Sequence, residues 1–177
     1  MSIDAPVVVG LDLSITATGV ATVRDDGKYT TRSVVPGVKR KGHDRLEFVL
    51  QGIFTAEVKM ANAAVVEGPS FGSNRPGYHV NAGLWWHVTH RLWLHGIPYV
   101  VVAPTVVKMY ATGNGQSGKD AVLMSAARKF PQFDGDNNEA DALWMAALFL
   151  DWSETPLVGL PQKHRRALAS VDWPERE

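Results

Sequence analysis

The order of hydrophobic patterns constrains this chain more than any other feature. Three strand-like runs, Val7 to Leu13, Gly19 to Arg24 and the weakly alternating Lys28 to Val35, follow one another with only short turns between them. Asp25-Asp26-Gly27 reads as a hairpin turn, and Pro36-Gly37 ends the third run. Strands linked this closely form an antiparallel meander. The pattern then changes. Leu46, Val49, Leu50, Ile53, Phe54 and Val58 predict a helix from Asp44 to Met60, and Ala63 to Val66 is a short apolar strand. Leu84, Trp85, Val88, Leu92 and Trp93 predict a helix from Asn81 to His95, stopped by Gly96 and Pro98. Tyr99 to Ala103 is then a strand parallel to the one before, because a helix connects the two. Pro104 opens a helical turn through about Tyr110, residues 112–118 form a flexible loop, and Lys119 to Phe130 and Asn138 to Asp151 are helices. Beyond Trp152 the periodicity fades. The expected architecture is a mixed α/β sheet with helices on its faces.

A chain of 177 residues with 45% hydrophobic side chains suits one domain, here residues 1–155, followed by a weakly patterned basic tail over 156–177. Eighteen basic and 18 acidic residues balance, so any surface for nucleic acid must be local. Cysteine is absent, which removes disulfides, thiolate metal sites and cysteine nucleophiles. Residues 1–6 lack the features of a signal peptide, and no apolar run approaches the roughly 20 residues that span a bilayer. The expectation is a cytoplasmic protein without a membrane partner.

Within this pattern three carboxylates stand out. Asp12 lies where the first buried strand should end, and Glu67 ends the apolar run Ala63 to Val66. Asp141 directly precedes the apolar run Ala142 to Leu150, with Asn138 one helical turn earlier on the same face. Taken singly, each acid reads as a turn, capping or solvated residue. Jointly they describe a site, because the carboxyl ends of α/β strands are where such sheets hold ligands. Three carboxylates gathered there repel one another unless a cation lies between them. Mg²⁺ or Mn²⁺ suits an all-oxygen donor set, and two such ions about 4 Å apart promote phosphodiester hydrolysis.

Four blocks in order, "GLDLSITATGVA", "VVEGPSFG", "APTVVKMYATGNGQSGKDAV" and "NEADALWMA", resemble the RuvC-type Holliday junction resolvases of the ribonuclease H-like superfamily. The resemblance runs from Gly10 to Ala146. It implies a ribonuclease H-like fold with a central five-stranded mixed sheet, a homodimer, and Mg²⁺-dependent paired nicking of four-way DNA junctions that leaves 5′-phosphate and 3′-hydroxyl ends. Asp12, Glu67 and Asp141 match the metal-binding acids, and Lys108 and Lys119 match lysines that act near the scissile phosphate. Family members usually carry Asp or His where this chain has Asn138, whose amide oxygen can ligate a metal but brings no charge. Asp136 is a possible substitute, though its offset from Asp141 turns it off that face. Phe71 is the candidate wedge at the junction and Arg75 a candidate phosphate contact. The size, the loop after Glu67 and Asn138 are compatible with a phage or a bacterial member.

Other readings compete. The opening motif also fits the phosphate hairpin of sugar kinases and actin-like ATPases, but that architecture needs two such domains. A broader branched-DNA or flap endonuclease shares the same acids, and a non-enzymatic junction-binding module is motivated by Asn138. Trp85, Trp86 and Trp93 are expected mostly in the core, with one at a dimer interface. His87, His90 and His95 do not line one face as zinc ligands would, and Lys163, Arg165 and Arg166 read as a solvated basic patch.

Overall fold

The structure, a computed structural model, describes residues 7–69 and 78–175. Strands β1 (Val7–Asp12), β2 (Thr18–Arg24) and β3 (Tyr29–Val34) form the expected meander. Its second turn is closed by hydrogen bonds from Gly27 N to Arg24 O and from Arg24 N to Lys28 O, with Gly27 at φ +76°. Helix α1 (Gly42–Ile53), the single turn α2 (Ala56–Lys59), β4 (Ala63–Glu67), α3 (Tyr78–Leu94) and β5 (Tyr99–Val102) follow. The sheet has the order β3-β2-β1-β4-β5, antiparallel through β1, β2 and β3 and parallel through β1, β4 and β5. Helices α4 (Pro104–Thr112), α5 (Lys119–Lys129), α6 (Asn137–Trp152) and the short α7 (Gln162–Arg165) complete the chain, with a 3₁₀ turn over Arg166–Ser170.

Strand alternation divides the core into two layers. Val9, Leu11, Val20, Ala64 and Val66 face α1 and α3, whereas Val8, Ala21, Val23 and Val65 face α4, α5 and α6. Under α6 the fully buried Trp144 meets Tyr110 edge-on at 5.7 Å and Phe130 at 4.6 Å. Each such ring contributes roughly 1.5–3 kcal/mol of transfer free energy.

Three expectations need correction. The single helix from Asp44 to Met60 is two: Phe54 leaves helical geometry at φ −83°, ψ 58°, and the chain re-enters a helix only after Thr55. Phe54 and Val58 are nonetheless buried, so the apolar spacing reflected burial rather than an unbroken helix. The segment beyond Trp152 is ordered against the body. Ala167 is buried with α4, Arg165 donates two hydrogen bonds to the buried Asp151, and His164 Nδ1 lies 2.8 Å from the Tyr110 carbonyl. Arg165 is therefore an anchor rather than a solvated cation. Finally, Trp86 and Trp93 are 68% and 69% exposed, so only Trp85 of that trio packs against the core.

Candidate active site

The register of the sheet decides where the acids point. Leu11 of β1 pairs with Val66 of β4, and both lie in the layer beneath α1 and α3. One residue further, Asp12 and Glu67 turn to the opposite face, toward α6. Asp12 also pairs with Gly19 of β2. On this face Gly10 and Gly19 leave no room for side chains. A Cβ at Gly10 would lie 1.9 Å from the Ala142 carbonyl oxygen, and one at Gly19 would lie 2.0 Å from that of Asn138. The backbone of α6 therefore rests directly on β1 and β2, and Asp141, adjacent to Ala142, arrives at the sheet end that carries Asp12 and Glu67. Sequence reasoning missed these glycines. The available signal was a glycine inside each of two strand patterns, a mark of close backbone approach.

The start of α6 is fixed by Asp136. Its Oδ1 accepts from the backbone N–H groups of Asn138 and Glu139 at 2.8 and 3.0 Å, and its Oδ2 accepts from Ser33 Oγ at 2.6 Å. Asp136 is thus a helix cap tied to β3, and its charge adds to the upward push on Asp12. Asn138 is half-buried one turn before Asp141. The turn after Asp12 is braced as well: Ser14 N donates to Thr18 Oγ1, Thr18 Oγ1 donates to Ser14 O, and Ile15 N donates to Asn81 Oδ1 of α3.

The lysines come from the β5 side. Val102 pairs with Glu67, and α4 starts two residues later, so Lys108 lies on a helix that leaves the same sheet end. Gly113 ends α4 in the left-handed region at φ +74°. Thr112 Oγ1 then links the Lys108 carbonyl, the Asn114 carbonyl and Ser117 Oγ, shaping the loop that delivers Lys119 as the first residue of α5. Phe71 and Arg75 lie outside the described residues.

Electrostatics follow from this packing. Burial, then the Asp141 charge, push Asp12 up to about 7, against the opposing pull of Lys119. Burial, then Asp12 and Asp141, push Glu67 up to about 8, with Lys119 and Lys108 opposing. Burial raises Asp141 to about 6 despite both lysines. None of the three acids makes an ion pair among the described residues, so the lysines act at longer range. The result is a largely buried, under-neutralised set of carboxylate oxygens. Among the described residues, no group of three or more His, Asp or Glu side chains is placed to hold a metal ion as the chain stands. The donor chemistry, three carboxylates beside an amide, is the kind a hard divalent cation takes. The histidines around the end of α3 stand elsewhere: His90 stacks on Trp93, and His95, just after the helix, lies against Phe54.

No protein-family profile matches the chain. Over 55 residues it is 42% identical to the crossover junction endodeoxyribonuclease RuvC of Anaeromyxobacter dehalogenans, strain 2CP-1 / ATCC BAA-258, and equally to that of strain 2CP-C. That match covers 31% of this chain and 30% of each relative's length. The fold is similar to a Thermus thermophilus RuvC structure, at a TM-score of 0.60 and 23% identity over 84% of this chain and 97% of the other. It is also similar to T. thermophilus RuvC in complex with Holliday junction substrate, at a TM-score of 0.59 and 21% identity over 85% and 97% of the two chains. The five-stranded mixed sheet flanked by helices is thus the ribonuclease H-like fold of RuvC.

Proposed function

We propose that this chain is a RuvC-type Holliday junction resolvase, a divalent-metal-dependent endonuclease that nicks opposed strands of a four-way DNA junction. One observation carries the reading: two strand-end acids and one helix acid converge at one sheet end, each raised in pKa by burial and with no ion-pair partner among the described residues. Such a set is unfavourable on its own account and favourable around Mg²⁺ or Mn²⁺. Asp12, Glu67 and Asp141 hold the cations, and the neutral amide of Asn138 completes the set. When bound, the cations supply Lewis acidity that activates water and offsets charge on the leaving 3′ oxygen. Lys108 and Lys119 approach the scissile phosphate from α4 and α5 and stabilise its extra negative charge. Phe71 and Arg75 remain the candidate contacts to the junction.

A homodimer completes the reading, since an isologous pair presents two equivalent sites to two opposed strands. The exposed Trp86, Trp93 and Leu94 of α3 and the exposed Tyr99 and Val101 of the edge strand β5 support that face as the interface. Trp86, Trp93 and Tyr99 line a groove of about 450 Å³ there, together with His87, Thr89 and His90. Substrate range is tested by comparing a labelled immobile junction with linear duplex, Y-fork and flap in Mg²⁺ and in Mn²⁺. Symmetric paired nicks confined to the junction are expected. Equal cutting of forks and flaps would instead make this a general branched-DNA nuclease.

A further inference from the structure

We infer that the loop joining β3 to α1 is a second DNA-binding surface, which takes the phosphate backbone of a junction arm through Lys39 and Lys41. The inference rests on the resolvase reading and extends it to residues outside the carboxylate site.

Topology places the loop at the relevant end of the sheet. Val34, the last residue of β3, pairs with Thr18, and the neighbouring Gly19 pairs with Asp12. The chain therefore leaves β3 about 10 Å, or two strand spacings, from the acid at the end of β1. From there it runs outward through Val38, which is 86% exposed, before turning back into α1.

Charge is concentrated here. In a chain with no net charge, residues 38–45 carry Lys39, Arg40, Lys41 and Arg45 against the single carboxylate Asp44. The two arginines are occupied in shaping the loop. Arg40 pairs with Asp44 at 2.6 Å and lies 4.4 Å over the Phe48 ring. Arg45 donates to the Arg40 carbonyl at 2.8 Å and to the Gly37 carbonyl at 3.4 Å. Lys39 and Lys41 are exposed and enter no ion pair among the described residues.

Two ammonium groups with no ion pair among the described residues thus sit on a braced loop at the same sheet end as the carboxylate site. A regular polyanion continuous with the substrate at the carboxylate site meets this loop as well, which favours DNA over an acidic protein.

The test is an anisotropy titration of a labelled four-way junction with the full chain, without divalent metal so that no strand is cut, over a range of salt concentrations. Every lysine that neutralises one phosphate steepens the fall of log K with log salt by about 0.9. The K39A/K41A variant should therefore be shallower by about 2 in that slope and bind roughly tenfold more weakly. K39R/K41R should restore both, and K59A, at the opposite end of the sheet, should match the parent. An unchanged slope in K39A/K41A would overturn the proposal and leave the loop to an acidic protein partner. The parent's preference for junction over duplex is read in the same titrations. If that preference is absent while the slope still becomes shallower, the resolvase reading fails and the DNA-binding role of the loop stands.

Discussion

Asp12 illustrates how a single buried carboxylate can lower the stability of a fold. In the unfolded chain it and Asp141 ionise near 3.8 and Glu67 near 4.5, whereas in the fold they hold their protons to about 7, 6 and 8. Below about pH 4 both states are protonated and the site costs nothing. Between pH 4 and 8 the unfolded chain releases these protons first, so stability falls as pH rises through that window and levels off above it. A melting series of metal-free protein should show Tm declining from pH 5 to pH 8. Added Mg²⁺ should recover more of it at pH 8 than at pH 5, because only ionised acids bind the cation. Asp12→Asn should raise the metal-free Tm at pH 8, by about 2–4 °C for each kcal/mol of repulsion relieved. A Tm indifferent to Mg²⁺ at pH 8 would count against the metal reading. At this scale the sequence was informative, because an acid directly after an apolar run is visible without coordinates. The cap that Asp136 makes is local and readable as an Asp just before the helix, but its tie to β3 was not visible, since Ser33 lies 103 residues away.

Element packing turns those acids into a site. Helix α6 reaches the sheet only because β1 and β2 offer glycine where it crosses them. Gly10→Ala would push a methyl group into the backbone of α6, which cannot swing aside as a side chain would. A loss of about 1–3 kcal/mol or more is expected, read as a lower Tm, together with loss of nicking as Asp141 is displaced. A variant that melts and cuts like the parent would show that α6 is not held by this close approach. The strands and most helices were legible from period 2 and period 3.6 patterns. The break at Phe54 was not, because buried Phe54 and Val58 continue the apolar spacing across a non-helical residue. The ordered C-terminal segment was also hidden, since its core contacts, Leu160, Ala167, Leu168 and Trp173, follow no strand or helix period and its polar anchors, Arg165 on Asp151 and His164 on the Tyr110 carbonyl, lie far apart in sequence.

Considered whole, the molecule exposes Trp86, Trp93 and Leu94 of α3 beside Tyr99 and Val101 of the edge strand β5, while its candidate chemistry lies at one end of the sheet. Changing both Trp86 and Trp93 to Glu should convert a dimer into a monomer in sedimentation. A dimer that persists in this variant would move the interface elsewhere. Sequence patterns put most of the tryptophan trio in the core, whereas only Trp85 packs there, because Trp85, Trp86 and Trp93 share one helix and packing decides which is covered. The central claim, that Asp12, Glu67 and Asp141 form a metal-dependent nuclease centre, is tested most directly with a labelled immobile four-way junction in Mg²⁺, comparing the parent with Asp141→Asn. Paired nicks from the parent, abolished in the variant while junction binding persists, are the predicted result. Junction binding by the parent with no nicking in Mg²⁺ or Mn²⁺ would contradict the claim and leave a binding module with Asn138 where a working centre needs an acid.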